Sequence, residues 1–299
     1  MQSYDIIITG GSYAGLSAAM TLGRSLKQVL VLDSGAPCNQ QTPYSHNFLT
    51  QDGATPAEIA GKAKAQVAQY PTVHFKNELA INAEKTTNGF LLTTATGASF
   101  EAKQLLFATG VKDEMPAIKG FATCWGISVL HCPYCHGYEV KQSPTGILAT
   151  GDMAFEYARL ISNWTNNLTV FTNGAAGLSE AQLAKLAQHQ IAINDKVIAE
   201  IVEEQGQIKH LLFTDGSIHL LRALYHRPTF RQHCSIPEVL GCTLTETGHI
   251  AVDAFHATNV AGVYAAGDAT TPMRSVSAAV AAGAMAGASM NKELIAAAF

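Results

Sequence analysis

Short apolar runs alternate with longer amphipathic stretches along most of this 299-residue chain, the pattern of strands alternating with helices. Residues 4–9 predict a buried strand, a helical pattern continues to about Arg24, and residues 29–32 predict a second strand that ends at Asp33. A loop rich in Pro, Asn and Gln covers 34–47. A helix over 56–68 follows, with Thr55 as N-cap and Pro56 in its first turn. Residues 73–75 and 89–97 predict strands and a hairpin, and 105–108 an apolar strand ending at Thr109-Gly110. Beyond a linker at 116–120, the order strand (146–150), helix (to Trp164), strand (168–171) repeats the opening layout. A hairpin over 208–213 and 218–221, a strand running into Gly267-Asp268 and a small-residue helix from about Val276 complete the chain. The pattern is α/β.

The first repeat carries chemistry. Its strand runs into Gly10-Gly11-Ser12-Tyr13-Ala14-Gly15, and an acid, Asp33, closes the second strand. In a Rossmann unit such a turn brings backbone N–H groups and a helix dipole to a pyrophosphate, and the acid takes the ribose hydroxyls. Ser12 stands at a position where glycine is usual, which predicts a tighter approach to the phosphates. In the second repeat the turn has decayed to Ala149-Thr150-Gly151. No Lys or Arg lies between Arg159 and Lys185 and no acid between Glu156 and Glu180, so nothing local clasps an NADPH phosphate or an NADH ribose.

Between the repeats lies His131-Cys132-Pro133-Tyr134-Cys135-His136-Gly137-Tyr138-Glu139. Two cysteines at this spacing, opening a helix-like segment, suit a dithiol that closes to a disulfide. The reactive form is the thiolate, and His136 is placed to exchange the proton near neutral pH. Three other readings compete. Cys-x-x-Cys-His is also a c-type haem attachment string, a zinc site would need two further ligands, and the thiols could be inert and buried. The remaining cysteines, Cys38, Cys124, Cys234 and Cys242, form no second pair. The other histidines, His46 among them, carry no evident role.

Composition narrows the setting. The chain is 47% hydrophobic, 14% charged and of net charge −4, with no basic cluster, which argues against nucleic acid. Six irregularly spaced cysteines fit a reducing cytoplasm better than a stapled secreted domain. The first residues pass straight into a strand, with no charged leader, and the small-residue run at 276–290 is too short and weakly apolar for a membrane.

GGSYAG at 10–15, ATG at 108–110, the CxxC and AAGD at 265–268, in this order, resemble the low-molecular-weight thioredoxin reductases and related FAD-dependent disulfide oxidoreductases. The resemblance implies two Rossmann-like, three-layer ββα dinucleotide-binding domains, the second inserted into the first. An FAD domain would comprise 1–113 and 240–299, and a central NAD(P)-binding-like domain 114–239. FAD would lie on Gly10, Ser12, Ala14 and Gly15 with Asp33 at its ribose. Asn47, Thr109, Gly267, Asp268, Arg274, Ser275 and Val276 would follow the ribityl chain and flavin. Cys135 would exchange electrons with the flavin, Cys132 with substrate, and His136 would replace the family's usual aspartate. That histidine, within CPYCHGYE, is similar to the dithiol oxidases of gliotoxin and holomycin type, which need no pyridine nucleotide. The implied partner is a thioredoxin-like protein or a small-molecule dithiol or disulfide, and the implied assembly a homodimer. NADPH, NADH, ferredoxin and dioxygen all stay open as electron partners. A flavoprotein redox sensor without turnover is the non-enzymatic alternative.

Overall fold

The computed structural model describes residues 2–299. Their contacts divide the chain into two units. The first takes residues up to Gln40, 48–113 and 230–299, and the second 41–47 with 114–229. The chain opens with β1 (Gln2–Thr9), α1 (Tyr13–Arg24), β2 (Val29–Leu32), α2 (Pro56–Val67), β3 (Val73–Lys76), β4 (Ala80–Thr86), β5 (Gly89–Thr94), β6 (Ser99–Phe107) and β7 (Val111–Glu114). There follow α3 (Phe121–Cys124), β8 (Val129–Leu130), α4 (Pro133–His136), β9 (Thr145–Leu148), α5 (Gly151–Ile161), β10 (Leu168–Phe171), α6 (Glu180–Gln188) and β11 (Ala192–Asn194). Next come β12 (Ile198–Glu204), β13 (Gln207–Phe213), β14 (Ile218–Leu220) and β15 (Ala223–Tyr225). β16 (Thr229–Gln232) leads back to α7 (Ile236–Val239), β17 (Val263–Ala265) and α8 (Val276–Ala298).

In the first unit β3, β2, β1, β6 and β17 run parallel, and β6 also pairs antiparallel with β5, which pairs with β4. Side chains alternate across this sheet with the period of two that a strand imposes. Ile7, Leu30, Leu32 and Phe107 enter one core layer, with Phe90 and Leu92 of β5. Ile6, Ile8, Val29, Val31 and Leu106 enter the other, against α1 and α8. The second unit repeats the scheme. Its parallel sheet β11-β10-β9-β15-β8 packs Ile147, Val170 and Tyr225 with Ala154, Ala158 and Ile161 of α5. Leu148, Phe171 and Leu224 face Ile201, Leu211 and Phe213 of the antiparallel β12-β13-β14 sheet. The fold is therefore α/β with two Rossmann-like units, and in each one the parallel sheet is buried on both faces.

Local signals place most of the helices. Thr55 accepts from Glu58 N at 3.2 Å while Glu58 Oε2 accepts from Thr55 N at 2.9 Å, the reciprocal box of a well-capped helix. Ser275 caps α8 through Ala278 N at 3.1 Å. The observed divide differs from the expected one at 239/240. Residues 230–239 join the first unit because Ile236 is buried in the core layer of Tyr4 and Ile7, and 41–47 group with the second. No helix among the described residues is long and apolar enough to cross a membrane.

The helical layer of the first unit depends on small residues. A Cβ at Gly283 would lie 2.0 Å from the Ala14 carbonyl oxygen, whereas one at Gly61, in α2, would meet nothing within 4 Å. Gly283→Val is expected to cost about 1–3 kcal/mol or more, because α1 must back away from α8. Gly61→Ala is expected to add about 0.5–1 kcal/mol. Urea unfolding midpoints check both.

Candidate active site

The first site residues lie where β1 passes into α1. Gly10 has φ 102 and a Cβ there would sit 2.3 Å from the Ala108 carbonyl oxygen. A Cβ at Gly11 would meet Asp33 Oδ2 at 2.4 Å, and one at Gly15 would meet the Gly10 carbonyl oxygen at 1.8 Å. Backbone thus runs against backbone, and the Asp33 carboxylate stands over Gly11. Ser12 has φ −92, so a serine is accommodated there without backbone strain. Ser12 is the N-cap of α1 and its side chain makes no cap bond, so the first-turn N–H groups keep an anion-binding aspect.

The remaining residues of this group come from the ends of β6, β17 and α8. Thr109 Oγ1 is buried with no hydrogen-bond partner among the described residues. A Cβ at Gly267 (φ 78) would come to 3.0 Å from Ala14 Cβ, which brings the Gly-Asp turn against α1. Burial pushes the Asp268 carboxyl up, with Arg274 partly offsetting it. Arg274 donates in fork fashion to Asp113 at 2.6 and 2.9 Å and lies 3.5 Å from Asp268. Its guanidinium is thus held by carboxylates, and the Ser275 hydroxyl is held by its cap. Val276 is the first residue of α8. Asp113 was not anticipated, since nothing in its spacing separates it from a surface acid. Asn47 (φ 59) groups with the second unit, apart from the other expected cofactor residues. The glycine cradle, the acid over Gly11 and the unpartnered Thr109 hydroxyl together fit an FAD.

The redox pair is in the second unit. Cys132 is the N-cap of α4, a single turn, and Cys135 Sγ donates to Cys132 Sγ at 2.7 Å. Neither is in a disulfide, and both are half-buried. The hydrogen bond from Cys135, with backbone N–H groups of Cys135 and Tyr134, outweighs burial and brings the Cys132 thiol down to about 7. Burial pushes the thiols of Cys124, Cys234 and Cys242 up. Only the motif therefore offers a thiolate near neutral pH among these cysteines. Among the described residues no three His, Cys, Asp or Glu side chains are grouped to hold a metal ion.

Around the pair stand residues the sequence reading set aside. Burial, then the charge of His46, lowers the His136 imidazole below its ordinary value, against a raising influence of Glu139. The His46 and His136 rings meet edge-to-face at 6.5 Å, and His46 Nε2 is 3.6 Å from Glu139 Oε1. No local pattern links positions so far apart in the chain. The buried Tyr225 hydroxyl is held protonated by burial and by the neighbouring Cys132 charge. Tyr134, between the two cysteines, packs edge-on to Trp164 at 5.6 Å. Both line a cavity of about 830 Å³ with Met153, Tyr157, Leu160 and Arg227.

The second nucleotide turn is filled from within. The Gly151 N–H, at the head of α5, donates to the Ala176 carbonyl at 2.8 Å. Asp152 occupies the first turn and accepts from Gln182 at 2.8 Å. The stretch after β10, where a clasp would be, is folded on itself: Thr172 donates to the Gly174 carbonyl at 2.6 Å, and Asn173 accepts from Ile198 N at 2.7 Å. An anion-seeking helix start whose leading N–H already holds a carbonyl, with an acid in its first turn, does not fit a dinucleotide pyrophosphate.

Comparison with known proteins agrees with this architecture. The family described as Pyridine nucleotide-disulphide oxidoreductase matches residues 4–284. Thioredoxin reductase sirT of Leptosphaeria maculans is 30% identical, covering 96% of this chain and 93% of its own. Thioredoxin reductase tcpT of Claviceps purpurea is 31% identical, over 98% and 94%. Among solved structures, an oxidoreductase from Agrobacterium tumefaciens superposes with a TM-score of 0.92 at 37% identity, covering 99% of both chains.

Selective alkylation tests the thiol assignment. Iodoacetamide should modify Cys132 of the reduced protein with a rate that rises through a midpoint near pH 7. In Cys135→Ala the donor is gone, and the midpoint should move upward towards about 8.5.

Proposed function

The chain belongs to the pyridine nucleotide-disulphide oxidoreductase family, and on that premise we propose that it is an FAD-dependent dithiol oxidase that does without a pyridine nucleotide. Flavin-dependent disulfide exchange is the activity of the family branch it falls in. The direction is carried by one observation, the Gly151 N–H committed to the Ala176 carbonyl where a pyrophosphate would sit. Reduction by NADPH needs that N–H. Oxidation of a dithiol does not.

The residues have complementary parts in this reading. A substrate thiolate attacks Cys132 Sγ of the oxidised pair, forming a mixed disulfide and releasing Cys135 as thiolate. The second substrate sulfur closes on the first and expels Cys132, which leaves readily because its thiolate is stable near neutral pH. Of the two protons the substrate gives up, His136, neutral and half-enclosed, accepts one, and a cysteine sulfur keeps the other. Bound FAD would take the electron pair from the reduced cysteines and pass it to dioxygen, so that dithiol and oxygen yield disulfide and hydrogen peroxide.

Gly10, Ser12, Ala14, Gly15, Asp33 and Thr109 would bind the cofactor, with Gly267, Asp268 and the backbone of 274–276 along it. The acidic Asp268, itself held by Arg274, would meet hydroxyls of the cofactor. The cavity beside Tyr134, of a volume usual for small ligands, favours a small-molecule dithiol over a protein partner. Six cysteines without a disulfide suit a cytoplasmic location, and the family resemblance a homodimer.

Anaerobic titration of the purified yellow protein tests the reading. A small dithiol should bleach the flavin and air should restore it, while NADPH and NADH should leave it oxidised. Rapid bleaching by NADPH would instead make the protein a reductase. A Cys135→Ser protein is expected to lose turnover by a factor of about 10³ or more, since the relay to the cofactor is cut.

A further inference from the structure

The loop at 41–47 comes from the part of the sequence that otherwise builds the first unit, yet it packs with the redox unit. Gln41 Nε2 donates to the Ala122 carbonyl at 3.4 Å, and a Cβ at Gly126 would touch Thr42 Oγ1 at 2.8 Å. Anchored in this way, the loop carries His46 to the helix turn that bears Cys132 and Cys135. Glu139 lies 3.6 Å from His46 Nε2, and the ring stands edge-on to His136 at 6.5 Å. His46 keeps 20% of its side chain exposed, so it borders both solvent and the residue that follows the second cysteine.

We propose that His46 is a positioning residue of the redox centre: held by Glu139 beside His136, it keeps His136 the acceptor, rather than the holder, of the proton that thiol–disulfide exchange at the cysteine pair releases. The inference rests on the redox reading of the cysteine pair but not on the direction of electron flow.

The charged groups bearing on His136 are His46 from the loop and Glu139 from the segment after α4, with the cysteine pair on α4 itself. Burial and a neighbouring positive charge act in the same sense: both disfavour imidazolium. Glu139 acts oppositely on His136, so His46 stands as the counterweight that lets a carboxylate approach the site without loading His136 with a proton. In the reaction the proton lost by a substrate thiol passes to neutral His136 and then to water. No electron moves through either histidine.

The test is the titration of His136 in FAD-loaded, reduced protein whose histidines carry 13C at Cε1. In His46→Gln the His136 midpoint should rise by about half a unit, the effect of removing one charge at this separation under water-like screening. His46→Lys restores a cation and should keep the midpoint low. The acid limb of single-turnover dithiol oxidation, which needs neutral His136, should move to higher pH in His46→Gln and stay in place in His46→Lys. An unchanged His136 midpoint in His46→Gln, or an equal rise in both variants, overturns the proposal. Should one variant fail to fold, the other still decides, since a rise in His46→Lys alone also overturns it. A midpoint that moves as expected in a protein that oxidises no dithiol would leave the His46 assignment standing and sink the oxidase reading.

Discussion

Two backbone approaches at the first nucleotide turn determine how the first unit is built. Gly15 lets the start of α1 rest against the Gly10 carbonyl, and Gly283 lets α8 rest against the Ala14 carbonyl, each at a distance that no side chain survives. The same few residues therefore join the opening strand to the last helix of the chain and leave the N–H groups of α1 facing a ligand. Cofactor cradle and chain closure are one packing problem with one solution. That solution explains why α8 is so rich in alanine and glycine although it is buried along only one stripe, Ala279, Gly283, Ala286, Gly287 and Met290. Larger residues there would separate the helices and open the turn.

The two units share a layout and differ at a single decisive place. Both put a parallel sheet between a helix layer and an antiparallel layer, and both start a helix at the first strand's carboxyl end. In the first, the Asp33 carboxylate stands beside the turn and the leading amides stay turned outward. In the second, the carbonyl of Ala176 takes the leading N–H of α5, at Gly151. A helix start offers an anion site only while nothing else neutralises it. The second unit thus keeps its scaffold and is freed to serve as the carrier of the cysteine pair.

Much of this was legible in the sequence, for reasons that are local. Strand alternation in 4–9 and 29–32, the capping box at Thr55 and Glu58, and the spacing of glycines and cysteines are each decided by neighbouring residues. What escaped is long-range. The Asp113–Arg274 ion pair joins the end of β7 to the residues before α8, His46 reaches His136 from a loop, and Ile236 is claimed by the first core rather than the second. The decay of the second glycine turn was visible, but its occupation by Ala176 was not, because a backbone carbonyl has no residue type to announce it. The grouping of Asn47 and its loop with the redox unit is likewise long-range and has no local signal.

The electrostatics of the pair fix its chemical temperament. No Lys or Arg figures among the groups that lower the Cys132 thiol; the Cys135 S–H and two backbone N–H groups do so. Those hydrogen bonds exist only while the pair is reduced, since the disulfide has neither the thiolate that accepts them nor the S–H that gives one. They therefore stabilise the dithiol against the disulfide. A pair whose reduced form is favoured in this way is an oxidant towards other thiols, by the same linkage that makes low-pKa disulfides strongly oxidising. In the proposed reaction His136, its imidazole lowered by burial, would add to the tendency by taking the proton a substrate thiol must lose. Hydrogen bonding at Cys132 and the filled turn at Gly151 lie in different parts of the second unit and have unrelated physical origins. Both support the proposed direction of electron flow, from substrate sulfur into the cysteine pair.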